Sequence, residues 1–574
     1  MMILRPLLVV LLAVAARVAA TATSAPLFTS GVPPSPELEA CLNSDGESGG
    51  NTHDPLLERT VYSDFVEGRP TILRFWAGRW SSKKGGGSNA PPLVTVASSL
   101  TAGRLDQLEA QCRLWRGPLS AVVYVPVRDQ ADEENGDRSS SSRRPPPKRL
   151  SALSPTSRAQ LDAATRAVAA LHARAESNPA WCALDVLILF NLVGDDRMAA
   201  VLPVNAMRNH ALLQARTPLV AMLDVDLLPS ALLSDWLLSS KSAKGSADAT
   251  RELRRAAEER DALFVLPAFE TPRLEDAKKA HALAEKAARA STKQELAAMV
   301  ARKEVWQFAL PVFHEGHDDT QYVRWFGVAA DAPLTTTSAY SVRGTKDFEP
   351  WFLLARGRNP FYDEVFAGYG WNKVTHVAHL AALGFDFRVL PSGWLVHRQH
   401  ERSTADKSYQ QHKRAYEQAA AAAKKSGNGT AASSSSSAAV FETVAGVTHG
   451  FRDAVVASLA RGEYRPVVGA GLKRCLASLS WWREMRGSRA VAQVLFSGGG
   501  GGEGGAGGGG GTSSSSSRGS GVVPPREEAA ADPRTCAIGW GPAGEAAMLA
   551  ATLEAYGGPL PSPGIGGARR RGKR

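Results

Sequence analysis

The sequence predicts an α/β chain built on an open, mostly parallel sheet with helices on both faces. From residue 93 onward, short apolar and β-branched runs alternate with stretches of helical spacing. The strand runs are apolar almost throughout, as expected of strands covered on both sides. One of them, Leu219 to Leu223, ends in Asp224 and Asp226, and such sheets bind ligands beyond the carboxyl ends of their strands.

Leu93-Val-Thr-Val-Ala97 is the first strand of the alternation. Arg104 to Leu114 follows as a helix, with apolar residues at 105, 108, 112 and 114. Ser120 to Pro126 is a strand, Thr156 to Ala175 an Ala/Arg-rich helix, and Leu184 to Phe190 a strand. Asn205 to Ala215 is a helix feeding the strand that ends at Asp224, and Ala262 to Pro267 is another strand. The Lys/Ala-rich stretch 273–303 is expected to be an exposed helical excursion outside any site. A helix over Val374–Leu383 and a strand over Phe385–Leu390 complete the series.

Outside these elements, composition sets the boundaries. Residues 130–149 are charged and Ser/Pro-rich, and 421–438 and 497–525 are runs of Ala, Ser and Gly. Such stretches bury too little apolar surface to offset chain entropy. One large domain is expected over residues 60–470, with insertions at 130–149 and 421–438. A short helical extension (471–496, holding Trp481-Trp482) and a low-complexity basic tail (497–574) follow. Residues 1–22 have the pattern of a signal peptide or short signal anchor: Arg5, an apolar run from Leu7 to Ala16, then small residues. The chain is therefore expected in the secretory pathway, in the Golgi lumen, with a possible membrane tether at the N-terminus. Asn428-Gly-Thr430 is the one glycosylation sequon. Five cysteines fit no zinc spacing, and a Cys112–Cys182 bridge is compatible with that compartment. Five of the +11 net charges lie in the last six residues, and no zinc-finger or RNP-type motif is present. Nucleic acid is therefore excluded as a partner.

Two aspartates one residue apart, on the same side of a strand, can converge on one hard cation and leave positions for phosphate oxygens. The alternative is two acids closing a turn. A second constellation spans residues 347–400, where Glu349, Asp363, Asn372 and Lys373 lie among aromatics and glycines, the composition of a pocket rim. His397 ends an apolar strand as Asp224 does. Beside the aspartates it would make a two-carboxylate, one-imidazole site, which suits Mn²⁺ better than Mg²⁺. His400 is a weaker candidate of the same kind.

Taken in order, these segments resemble the glycosyltransferase family 49 domain, the glucuronyltransferase-type module of LARGE-type enzymes, over about residues 90–415. The runs are Val94-Thr-Val-Ala with Arg104-Leu105, Trp115 to Ala121, Pro203-Val-Asn205 with Arg208-Asn209, and Leu223 to Ser230. They continue through Val265 to Glu270, Gly316-His317 with Thr320 and Trp325, and Phe348-Glu-Pro350 with Tyr362-Asp363. The last are Gly368 to Lys373 and Val389-Leu-Pro391 through His397-Arg-Gln-His400, with a remnant at Phe451–Tyr464. Asp318-Asp319 stands where the LARGE-type pattern has Ala-Pro, a departure that bears on the acceptor.

The resemblance implies a GT-A fold, a UDP-sugar donor, Mn²⁺, and inverting transfer to a hydroxyl of a glycan or glycoprotein acceptor. It implies that Asp224, Asp226 and His397 hold the metal and that Arg208 and Asn209 lie beside the donor. With inversion, an acid must deprotonate the acceptor hydroxyl; Asp363 is the first expectation and Glu349 the second. Glucuronate is the expected sugar, with Lys373 and Arg208 as cations for its carboxylate. UDP-xylose, UDP-glucose and UDP-N-acetylglucosamine stay open as donors, as does a non-catalytic lumenal glycan-binding scaffold.

Overall fold

The computed structural model describes residues 70–79, 93–128, 153–193, 201–238, 246–310, 313–328, 338–344, 347–403 and 444–469, with isolated positions between 406 and 479. The expected signal segment, both insertions and the tail lie outside the described residues, as do Trp481 and Trp482.

Nine strands form the main sheet, in the order β1 (Thr71–Trp76), β4 (Ala183–Val193), β3 (Pro118–Arg128), β2 (Val94–Thr101), β5 (Leu219–Met222), β11 (Trp351–Ala355), β7 (Ala262–Leu266), β12 (Asp386–Val389) and β10 (Tyr340–Ser341). The block β4-β3-β2-β5 is parallel, and so is the β7–β12 pair. These are the apolar runs that the alternation picked out. Strands β1, β11 and β10 run antiparallel to their neighbours. The sheet is therefore parallel through its first crossovers and mixed beyond β5. Strand β11 is the insertion that makes the difference. It was not anticipated, because it follows the aromatic-rich run 347–351 without a turn signal of its own.

Each face of the sheet carries its own core. Alternate residues of β3 and β4 divide between them: Val122, Tyr124, Leu187 and Leu189 face one side, and Val123, Val125, Val186 and Ile188 the other. On the first side pack α3 (Val204–Gln214), α6 (Ala277–Arg289), α7 (Lys293–Ala301), α8 (Tyr322–Gly327) and α9 (Asn372–Ala382). On the second pack α1 (Leu105–Trp115), α2 (Pro155–Ser177), α4 (Ala231–Leu238) and α5 (Ser246–Glu259). Helices thus cover both faces, as the alternation requires.

A second sheet, β6 (Leu227–Pro229), β13 (Leu395–His397), β8 (Ala268–Glu270) and β9 (Trp306–Gln307), stands beyond the carboxyl ends of the first. It is built by continuation: β7 passes through Pro267 into β8, and β12 leads into β13, so two parallel strands cross from one sheet to the other. At that crossing Gly393 takes φ +81°, and a Cβ there would stand 2.8 Å from Leu233.

The stretch 273–303 corrects the expectation of an exposed excursion. Helix α6 buries an alanine stripe (Ala280, Ala284, Ala287, Ala288) at helical spacing against the core. Lys293 is fully buried, its ammonium donating to the carbonyls of Trp325, Val328 and Pro391. Cys112, at the end of α1, is disulfide-bonded to Cys182, just before β4. Among the described residues, no helix is long and apolar enough to cross a membrane.

Candidate active site

Strand β5 stops at Met222, and the chain turns through Asp224-Val225-Asp226 into β6, closed by the Leu227 N–H on the Asp224 carbonyl (3.0 Å). The aspartates therefore occupy a turn, not the end of a strand, and their side chains acquire separate partners. Gln111, wholly buried on α1, holds the turn: its amide N–H₂ donates to the carbonyls of Asp224 (3.1 Å) and Leu227 (2.9 Å). Its oxygen accepts from the Ser98 hydroxyl at 2.7 Å.

Asp224 faces α3, α9 and β11. Its carboxylate accepts from the Trp351 indole (2.9 Å) and Arg208 (3.4 Å), and lies 3.6 Å from the Lys373 ammonium. Burial alone would raise its pKa, but Lys373, Arg208 and the Trp351 N–H outweigh burial and hold it below the usual carboxylate range. Strand β11 runs antiparallel to β5, which puts Trp351 level with the turn. Lys373 sits in the first turn of α9, at the positive end of that helix, where a cation is disfavoured. Two carboxylates compensate, Asp224 and Glu349, the latter 3.8 Å away. The backbone before it is left-handed at Gly368, Gly370 and Trp371, which turns the chain sharply into the helix.

Asp226 faces the other way. Its carboxylate lies 2.7 Å from His400 Nε2 and 3.1 Å from Arg104, and its carbonyl accepts from the Arg398 N–H. Burial opposes ionisation, but the His400 hydrogen bond and the charges of His397, His400 and Arg104 hold the carboxyl well below its ordinary value. The ligand atoms of Asp226, His397 and His400 lie within 4.8 Å of one another, the one such group among the described residues. Burial lowers the pKa of His397, leaving a neutral imidazole with a lone pair to offer. For His400, burial disfavours the proton but the bond to Asp226 outweighs it, and the net shift is upward. A carboxylate with two imidazoles is a donor set for a divalent transition-metal ion.

A cavity of about 880 Å³ adjoins this cluster, bounded in part by Thr101, Arg104, Gln107, Tyr124, Gln399 and His400. Its wall is fixed by Arg398, which bridges Asp106 and His281 at 2.9 Å each.

The structure brings Asp224, Arg208, Lys373 and Glu349 into one group and Asp226, His397 and His400 into another, so Asp224, expected as a metal ligand, stands outside the grouped ligand atoms because its carboxylate turns to Lys373, Arg208 and Trp351. It turns Asn209 elsewhere: its amide is engaged by Tyr362 and Glu364. The Asp363 carboxylate accepts from the Tyr464 hydroxyl (2.8 Å) and from the N–H groups of Val365 and Val467, so it anchors the C-terminal segment. Burial pushes its carboxyl up to about 6. Glu349 is also raised by burial, with Asp224 adding to the shift and Lys373 opposing it. Behind them His317 stacks on Trp351, with ring centroids 5.3 Å apart; burial and Lys373 lower its pKa to about 3.

Arg104, Gln111 and Trp351 had no site role legible in the sequence, and His400 only a weaker one. For Gln111 a signal existed, a polar residue among the apolar positions of α1. For Trp351 only the pairing of β11 with β5 supplies one.

Residues 93–426 match the family described as "Glycosyl-transferase for dystroglycan". Among similar proteins are the xylosyl- and glucuronyltransferase LARGE2 of Rattus norvegicus, 30% identical over 313 residues, and LARGE1 of Danio rerio, 26% identical over 310. Each alignment covers 54% of this chain, but only 35% and 31% of those proteins, so the chain spans about a third of their length. A solved mannosyltransferase, PcManGT from Pyrobaculum calidifontis in complex with GDP-Man and Mn²⁺, overlaps 72% of this chain and 89% of its own. At 11% identity and a TM-score of 0.25, that likeness carries no argument. The fold is α/β, a mixed sheet covered by helices on both faces, with the aspartate turn at the carboxyl edge of its parallel block. With the match spanning more than half its length, the chain belongs to glycosyltransferase family 49.

Proposed function

We propose that this glycosyltransferase moves a sugar, glucuronate in the first instance, from a UDP-sugar to a hydroxyl of a glycan or glycoprotein acceptor, with Mn²⁺ as cofactor, in the Golgi lumen. The observation that carries the reading is the Asp226–His397–His400 cluster beside a nucleotide-sized cavity, in a chain of this family. Asp226 and His397 would hold the ion, with His400 as a further ligand. When bound, the ion neutralises charge on the departing diphosphate. The nucleoside fits the cavity along Arg104, and Arg104 lies where it can pair with phosphate oxygens.

Asp224, Lys373 and Arg208 then border the transferred sugar. Lys373 and Arg208 are the cations a donor carboxylate would pair with, sharing them with Asp224 and Glu349, and the relatives named for glucuronyl and xylosyl transfer support that reading. For the base, geometry favours Glu349 over Asp363. Glu349 lies in the Lys373–Asp224 group, and burial brings its pKa towards that of a working base. Asp363 is tied to residues 365, 464 and 467.

The test is a donor panel of UDP-glucuronate, UDP-xylose, UDP-glucose and UDP-N-acetylglucosamine with the full chain and Mn²⁺, read by UDP release. Turnover of another donor without UDP-glucuronate would remove the glucuronyl assignment. Asp226→Asn should lower turnover at least 100-fold and abolish Mn²⁺-dependent UDP binding. Wild-type protein that binds no Mn²⁺–UDP would indicate a scaffold instead. Lys373→Met should raise the KM for UDP-glucuronate more than that for UDP-xylose.

A further inference from the structure

Three neighbouring strands of the second sheet place His397, Glu270 and Trp306 in one cross-strand row. His397 pairs with Glu270 in parallel register, and Glu270 with Trp306 in antiparallel register. Residues in one row share a face of the sheet and stand one strand spacing, about 4.8 Å, apart. All three are half-buried, whereas Phe269 and Gln307, on the opposite face, are fully buried.

The row is built with care. The Trp306 indole N–H donates to Glu270 at 2.9 Å, and the Ala309 N–H donates to the same carboxylate. Ala309 provides it from a left-handed conformation (φ 57°), which is unfavourable for an L-residue. Phe308, between them, packs edge-on against His397 (5.4 Å), His317 and Trp351. An oriented carboxylate and a half-buried indole therefore sit next to a metal-ligand histidine, and nothing in the donor geometry above uses them.

Position decides what they face. Asp226, in the turn just before β6 on the other side of β13, leads to Arg104, His400 and the cavity assigned to the nucleoside. Asp224, Lys373 and Arg208 border the transferred sugar. Glu270 and Trp306 lie on the far side of His397 from Asp226. A carboxylate accepts hydrogen bonds from two hydroxyls of a pyranose, and an indole covers the apolar C–H face of the ring. A second carboxylate brought against Glu270 would be repelled.

We propose that Glu270 and Trp306 bind the acceptor sugar, an uncharged pyranoside, and set the preference for it over an acidic one. This rests on the transferase reading above. The test compares wild type, Glu270→Gln and Trp306→Phe, the last keeping an aromatic ring but losing the N–H. Acceptors are p-nitrophenyl β-xyloside, β-glucoside, β-galactoside and β-glucuronide, with the donor that wild type turns over. For Glu270→Gln, the KM for the best neutral glycoside should rise at least tenfold and discrimination against the glucuronide should fall. The Kd for Mn²⁺–UDP should stay within twofold. Trp306→Phe should raise the same KM by a smaller factor, and it carries the test if Glu270→Gln fails to fold. Unchanged acceptor KM values, or a matching loss of Mn²⁺–UDP affinity, would overturn the assignment while leaving the transferase reading intact. Wild-type protein that neither binds Mn²⁺–UDP nor releases UDP would overturn both, before any variant is made.

Discussion

At the scale of single residues, the two aspartates show how a short motif divides its work. Placed in a turn, Asp224 meets Lys373, Arg208 and Trp351, whereas Asp226 meets His400, His397 and Arg104. Gln111 is the residue that keeps them apart. It bridges the two carbonyls that bracket the turn to Ser98, and it is fully buried. Gln111→Leu keeps the bulk and removes three hydrogen bonds, each worth about 1 kcal/mol, leaving the Asp224 carbonyl only the Leu227 N–H. The expected outcome is a loss of about 2–4 kcal/mol in urea unfolding, together with a weaker Kd for Mn²⁺–UDP. Stability lost with unchanged nucleotide affinity would show that the turn does not depend on this clamp.

At the scale of elements, the C-terminal segment is tied back to the domain through two acids in sequence. Asp363 accepts from Tyr464 and Val467, while Glu364 accepts from Asn209 and Gly469 and its N–H donates to the Val467 carbonyl. Burial lifts Asp363 to about 6, above its ordinary 3.8. Between those values the folded chain keeps a proton that the unfolded chain has released. This group's contribution to stability therefore falls as pH rises through that window, by at most about 3 kcal/mol. Asp363→Asn cannot ionise, so the difference between its urea midpoints at pH 4 and pH 6.5 should be smaller than in wild type. An unchanged difference would mean that the carboxyl titrates at its ordinary value. That Asp363 and Asn209 fasten elements was not visible in the sequence, where both stand within runs that also carry the site.

At the scale of the whole molecule, Cys112 and Cys182, 70 positions apart, close a loop that carries β3 of the parallel block and the helix α2 that packs on it. Replacing both by serine should cost about 2–4 kcal/mol, measured by urea unfolding against wild type, because the open loop regains entropy in the unfolded state. A loss below about 1 kcal/mol would show that packing alone holds this region. Much of the architecture was written along the chain. The apolar runs gave the strands, helical spacing gave α1 to α3 and α9, and the acids after Leu223 marked the carboxyl edge, because period and polarity are local properties. Strand β11, the alanine face of α6 and the small second sheet were not, since each is defined by what it pairs with. The same holds for the site. Asp226 and His397, which the structure sets close together with His400, stood out in the sequence by residue type and position. The row of His397, Glu270 and Trp306, the separation of the two aspartates, and the different surroundings of Glu349 and Asp363 exist only once distant segments pack together. Chemistry of a side chain is fixed by its own atoms, but its role is fixed by its neighbours, and those are supplied by tertiary structure.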